Sequence, residues 1–257
     1  MPYVWSQKVV FITGASSGIG RALAIELGRR GASLGLLARR AETLSEIQRE
    51  VEDAGARALV LAADVRHADA VRAAATQLRE KFGRIDVLIA NAGIGATTDA
   101  RALEAKEVAD VLGTNVMGAV NSVTAVLPEM IEKRSGQLVV ISSLAAYRGL
   151  PKSGAYCASK AAVSAFFESL RVDLRGTGVN VTIIHPGFIR TPLTEGRSTK
   201  MPFFMELDDA IRKIIRAIEE RRKSYAFPWQ LATLVRIGMV LPASWYDKVA
   251  SRKSFRE

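Results

Sequence analysis

The chain holds one cysteine and two histidines in 257 residues. A lone Cys157 excludes an internal disulfide and fits a reducing compartment. With only two histidines beside it, a structural zinc site lacks ligands, so no metal is expected. No stretch reaches ~18 uninterrupted apolar residues, which argues against a membrane-spanning helix. Met1 to Val10 has no long apolar run behind a basic cluster and does not read as a signal peptide. Together these features predict a cytoplasmic protein, with membrane contact an open question only at its tail. Solenoid-length repeats, low-complexity tracts and linkers are also lacking, so 1–257 reads as one domain. Acidic residues are the minority, 26 against 36 basic ones, for a net charge of +10. No helix-turn-helix or aromatic-platform signature accompanies that charge, so nucleic acid is not expected as a partner.

What remains is a globular chain, 49% hydrophobic, in which short apolar runs alternate with amphipathic ones. Strands are predicted at Lys8–Thr13, Ser33–Ala38, Ala58–Ala63, Ile85–Ala90, Gly136–Ile141, Val179–His185 and Lys223–Phe227. Helices are predicted at Gly18–Arg30, Ala41–Ala54, His67–Phe82, Glu104–Asp110, Thr114–Lys133, Ser153–Leu174 and Asp208–Arg222. Strands separated by helices need crossover connections, which makes the sheet parallel and right-handedly wound. The expected fold is therefore a doubly wound α/β sheet of the Rossmann type, helices on both faces, with a C-terminal helical extension.

Two local patterns carry chemistry. The first strand runs into Thr13-Gly14-Ala15-Ser16-Ser17-Gly18-Ile19-Gly20, a tight glycine turn that opens a helix and aims its N-terminus at a pyrophosphate. Its spacing differs from G-x-G-x-x-G, and no lysine follows as a P-loop requires. The second pattern is Tyr156 and Lys160, four apart and hence on one face at the start of a helix. A phenol of pKa ~10 is a poor proton donor and acceptor at neutral pH. Lowering it by ~3 units asks for about 4 kcal/mol, within reach of one close ammonium and a helix N-terminus in a dry site.

In combination these motifs resemble the short-chain dehydrogenase/reductase family over about Lys8 to Thr191. Thr13–Gly20 is similar to its TGxxxGxG, Asn91-Ala92-Gly93 to its NAG, and Asn115 to the asparagine that interrupts the next long helix. Ser143 stands thirteen residues before Tyr156, Tyr156 and Lys160 match YxxxK, and Pro186-Gly187 with Thr191 matches the segment after the sixth strand. The resemblance implies a catalytic set of Asn115, Ser143, Tyr156 and Lys160. Tyr156 gives a proton to a carbonyl oxygen that Ser143 also supports. Lys160 lowers the phenol pKa and bonds the nicotinamide ribose, and Asn115 holds a water relay. It further implies that Gly14, Ser16, Ser17, Gly18, Ile19 and Gly20 cradle the cofactor and that Asn91, Ala92 and Gly93 pass its ribose. Asp64 and Val65 would touch the adenine, and Pro186, Gly187, Ile189 and Thr191 would border the nicotinamide. By residue chemistry alone Asp64 also reads as a helix N-cap.

The cofactor expected is NADP. NAD sites of this fold place an acid at the end of the second strand, whereas here that end reads Leu37-Ala38-Arg39-Arg40. A guanidinium suits a 2′-phosphate, Arg39 being the first candidate and Arg40 the second; two solvated arginines are the alternative. Cys157, His185, Phe166 and Phe167 read as core or contact residues rather than reactive ones. Residues 192–207, with Leu193, Met201, Phe203, Phe204 and Met205, lie where the family places its substrate loop and favour a lipophilic carbonyl or alcohol. A 3-oxoacyl carrier-protein reductase and a non-catalytic NADPH-binding scaffold are the alternatives, and many relatives are homo-oligomers. From Arg212 on, 11 Lys and Arg stand against 4 Asp and Glu, and Ala226–Leu241 is apolar except for Gln230, Thr233 and Arg236. That tail reads either as a lid or subunit contact, or as a peripheral membrane anchor.

Overall fold

The computed structural model describes residues 3–194 and 202–251. Residues 195–201 of the expected substrate loop, Met201 among them, fall outside that range, as do Arg252 and Lys253 of the tail.

Seven strands form one parallel sheet: β1 (Val9–Thr13), β2 (Ser33–Ala38), β3 (Arg57–Ala62), β4 (Val87–Ala90), β5 (Gly136–Ile141), β6 (Val179–Pro186) and β7 (Ser224–Phe227). Their order is β3-β2-β1-β4-β5-β6-β7. Helices α1 (Gly18–Arg29), α2 (Ala41–Asp53) and α3 (Ala68–Phe82) follow the first three strands. The later helices are α4 (Ala105–Leu112), α5 (Gly118–Glu132), α6 (Gly154–Asp173), α7 (Leu207–Glu219), α8 (Trp229–Val240) and α9 (Ala243–Ala250).

Strand alternation divides the core. Val10 and Ile12 of β1 face α1, α2 and α7, while Val9 and Phe11 face α3, α5 and α6. Both faces are covered, which is why the strands read as unbroken apolar runs rather than alternating ones. In α7, Ile211, Ile214, Ile215 and Ile218 recur at helical spacing and are fully or nearly fully buried.

Two expectations need correction. The segments predicted as separate helices at Glu104–Asp110 and Thr114–Lys133 are continuous, because Gly113 keeps helical angles (φ −57°, ψ −44°) and a π-helical turn, Gly113–Met117, joins α4 to α5. The joined helix 105–132 is long and apolar enough to cross a membrane by composition, but half of its apolar window is buried in the fold. Asp64 is not an N-cap: His67 holds that position on α3, and Asp64 turns to Arg66 instead.

The sheet order reverses between β1 and β4. In open sheets of this kind the crevice lies there, at the carboxyl ends of the strands. Thr13, Gly14, Ala90 and Asn91 occupy those ends.

Candidate active site

The turn after β1 is made of backbone in close quarters. Gly14 has φ +67°, and a Cβ there would sit 2.7 Å from Ala92 Cα. A Cβ on Gly20 would run into the Gly14 carbonyl oxygen. Asn91 fastens the two strand ends: its Nδ2 donates to the carbonyls of Thr13 (3.1 Å) and Gly14 (3.2 Å). Thr13 Oγ1 in turn accepts from the Asn91 and Ala92 N–H groups, each at 3.2 Å. Ser17, the N-cap of α1, makes no side-chain capping bond, so the first N–H groups of that helix are left for water or an anion.

Two guanidinium groups lie at the end of β2. Arg40 donates to Ser16 Oγ at 3.0 Å, tying itself to the glycine turn, while Arg39 is exposed and lines the same cavity. Across from them Arg66 bonds the Asp64 carboxylate at 2.8 Å and holds its pKa below the usual range, mainly through that hydrogen bond.

The second half of the site is built on α6. Tyr156 lies in its first turn and Lys160 one turn further, with Lys160 Nζ 5.7 Å from the Tyr156 ring centroid. Lys160 is buried and donates to the Ile141 carbonyl at the end of β5 (2.8 Å). Burial lowers its pKa to about 8. Ser143, just past β5, accepts from Ala145 N–H at 3.1 Å. Its neighbour Ser142 donates to the Lys160 carbonyl (3.1 Å) and shares a hydrogen bond with Ser164 Oγ (2.6 Å), which pins α6 to the sheet.

Asn115 sits in the π turn, one layer behind. Its Nδ2 donates to the Ile94 carbonyl (3.0 Å) and to Ser159 Oγ (2.9 Å), and its Oδ1 accepts from Ile94 N–H (2.8 Å). Ser159 passes the connection on, donating to the Tyr156 carbonyl at 2.7 Å. A Cβ on Gly93 would lie 3.3 Å from Asn115 Oδ1 and 3.5 Å from Lys160 Nζ, so both groups converge on that glycine.

One cavity of about 740 Å³ joins these parts. Every residue expected at the site lines it except Gly20, which backs the turn, and Asn115. His185 is buried, with Nδ1 3.4 Å from the Ser143 carbonyl and its ring against Tyr147, and burial lowers its pKa; it packs as expected. Cys157 is likewise buried, its thiol pKa raised by desolvation.

The far end of the cavity is lined by the C-terminal tail, through contacts that no motif marked. Helices α8 and α9 close over it with Leu231, Val235, Leu241 and Tyr246 among its lining residues. Arg148 holds this cap down. Its Nη1 donates to the Gly238 carbonyl and, at 3.1 Å, to the Leu241 carbonyl, while its guanidinium lies 3.9 Å from the Tyr246 ring centroid. Tyr246 Oη donates back to the Gly149 carbonyl. No spacing rule marks Arg148, which lies in an irregular stretch between Ser143 and Tyr156.

Comparison with known proteins supplies the family and supports the fold. The family model for short chain dehydrogenases matches residues 8–202. An uncharacterized oxidoreductase of Myxococcus xanthus (strain DK1622) is 44% identical over 247 residues, covering 96% of this chain and 98% of that protein. A short-chain dehydrogenase from Mycobacterium paratuberculosis bound to NAD superposes with a TM-score of 0.78 at 26% identity, over 87% of this chain and 97% of the other. A metagenomic short-chain oxidoreductase in complex with NADP gives 0.72 at 32% identity, over 84% and 92%. The chain belongs to the short-chain dehydrogenase family. It is a nicotinamide-dependent oxidoreductase acting on a small molecule.

Proposed function

We propose that the protein is an NADP(H)-dependent dehydrogenase/reductase that interconverts a lipophilic carbonyl compound and its alcohol. One observation carries this reading. A single cavity runs from the exposed Arg39 and the glycine turn, past Ser143, Tyr156 and Lys160, into an apolar chamber under α8 and α9.

The residues fit the cofactor. The side-chain-free turn at Gly14 and Gly20 and the α1 N-terminus suit a pyrophosphate, with Ser16, Ser17, Gly18 and Ile19 around it. Arg39 suits a 2′-phosphate, and Arg40, bonded to Ser16, braces the turn beside it. Asp64 and Val65 would border the adenine, Asn91, Ala92 and Gly93 the ribose, and Pro186, Gly187, Ile189 and Thr191 the nicotinamide; all of them line the cavity. When bound, NADP(H) supplies or accepts the hydride exchanged with the carbonyl carbon.

The chain handles the proton. Tyr156 Oη donates to the carbonyl oxygen in reduction and accepts from the alcohol in oxidation. Ser143 Oγ donates a hydrogen bond to the same oxygen, where charge develops. Lys160, held at the Ile141 carbonyl, favours the phenolate. Asn115 has spent both amide donors on Ile94 and Ser159, so the water it holds for Lys160 is taken by an oxygen acceptor. The cap excludes bulk water, which strengthens each of these interactions.

Leu144, Leu150, Phe188, Leu231 and Val235 line the substrate end, which favours apolar chains over polar metabolites. Leu193, Leu234, Ile237 and Val249 are exposed at the mouth, which favours a free lipophilic substrate over one delivered by a carrier protein. The test is a panel of ketones and aldehydes of graded chain length, read by NADPH absorbance. Each added methylene buried is worth about 0.8 kcal/mol, so kcat/KM should climb about fourfold per carbon until the chamber fills. A flat series would remove the lipophilic reading, and a preference for NADH would remove NADP.

A further inference from the structure

Ten of the sixteen large hydrophobic side chains exposed among the described residues are Leu193, Phe203 and Phe204 together with seven from 229–249. Leu193 and Pro202 meet the cap helices at the cavity. Leu193, Leu234, Ile237 and Val249 line it and are yet 44–54% exposed, which identifies them as its rim. Outside the rim stand Trp229, Val240 and Trp245, 73%, 81% and 67% exposed and not part of the lining. A concentration of exposed apolar groups on this scale marks an interaction surface rather than ordinary scatter.

We propose that this rim docks on an anionic lipid surface, with the cavity mouth facing the lipid. Three features select that partner. The chain carries +10 overall, and on the two cap helices the exposed Arg236 and Lys248 outnumber the one exposed acid, Asp247. A second copy pressed against the same face would bring these charges together, whereas an anionic headgroup layer complements them. Two of the chain's three tryptophans sit on this face, at the level where indole rings partition between headgroups and acyl chains. Helix α8 has 12 residues and so is about 18 Å long, too short to span a bilayer and suited to lying on it. A lipophilic substrate then passes from the bilayer to Tyr156 without crossing water. This last step rests on the substrate class proposed above.

The experiment uses the full chain with vesicles of phosphatidylcholine, with and without phosphatidylglycerol, at low and high salt. Sedimentation should show at least about tenfold more protein on the anionic vesicles at low salt, with a blue shift of tryptophan emission. The double variant Val240→Asp/Trp245→Asp should bind about tenfold less, while its turnover of a short water-soluble aldehyde stays at the wild-type value. No binding to anionic vesicles at low salt, or equal binding by the double variant, overturns the proposal. So does a double variant that turns an oligomer into monomers on gel filtration, which would assign the face to a second copy. Vesicle binding without a chain-length preference leaves the docking in place and removes only the substrate class. A chain-length preference without vesicle binding does the reverse.

Discussion

Replacing Lys160 by Met tests the centre of the site in two independent ways, because the same buried ammonium has opposite effects on folding and on chemistry. Take stability first. The Lys160 pKa falls from 10.5 to about 8 in the folded, cofactor-free protein, through desolvation. A shift of that size is worth about 3 kcal/mol against the charged form. Between the two values the unfolded chain binds more protons than the folded one, so this group makes wild-type stability rise from about pH 8 toward 10.5. Below pH 8 the full penalty is present. Methionine fills a similar volume without charge and removes both the penalty and the pH dependence. It also loses the hydrogen bond to Ile141, worth about 2 kcal/mol. At pH 7 the variant should therefore be about as stable as the wild type or slightly more so, and its advantage should shrink by about 3 kcal/mol on going to pH 10.5.

Chemistry responds in the other direction. A cation 5.7 Å from the Tyr156 ring stabilises a phenolate by about 3 kcal/mol at an effective dielectric constant of 20, or about two pKa units. The N-terminus of α6 adds up to about 1 kcal/mol more, which meets the requirement of about 4. Lys160→Met should thus cut alcohol oxidation at pH 7 about 100-fold and move the acidic limb of its kcat/KM profile, where the phenolate base is protonated, upward by about two pH units. Denaturant unfolding at several pH values and a pH–rate profile measure the two effects. Identical pH dependence of unfolding in both proteins would show that Lys160 is not desolvated. An unmoved acidic limb would show that its charge does not reach the phenol.

Tyr156→Phe should lower turnover by at least about 10³-fold while NADPH binding, followed by fluorescence, stays within about twofold, since the proton donor is lost and the nucleotide end is untouched. Arg39→Asp should weaken NADPH and improve NADH, reversing the ratio of kcat/KM values; an unchanged ratio would take Arg39 out of the site. Gly20→Ala should abolish measurable cofactor affinity, because the new Cβ runs into the Gly14 carbonyl oxygen; wild-type affinity in this variant would disprove the close approach. Arg148→Ala should raise KM for the largest substrates at least about tenfold and leave kcat for small aldehydes nearly unchanged, as the cap loses its hold on Gly238 and Leu241.

How much of this could be read in the residues depends on the range of the interaction involved. Ser33–Ala38 and Gly136–Ile141 coincide with their expected strands because runs buried on both faces are bounded by local signals. The expected helix break near Gly113 failed for a related reason. Glycine permits a break without imposing one, and tertiary packing kept the chain helical through the π turn. Tyr156 and Lys160 were visible from a spacing of four. The bonds that orient them were not, since Asn115 reaches Ser159 across 44 positions and Ile94 across 21. Such contacts leave no period in the sequence.

The same distinction separates the two ends of the cavity. A dinucleotide site is shaped by backbone that must pass close to other backbone, and only glycine at fixed short spacings allows it, so Gly14 and Gly20 mark the site. An apolar chamber imposes no such rule, because leucine, valine and isoleucine replace one another at little cost. Its shape here comes from where α8 and α9 lie, and that is fixed by Arg148 and Tyr246 across 90 or more positions of chain. Reaction class is accordingly written in short motifs, while substrate class is written in the placement of a cap. Chain-length specificity should therefore shift with changes at Arg148 and Tyr246 that leave every catalytic motif intact.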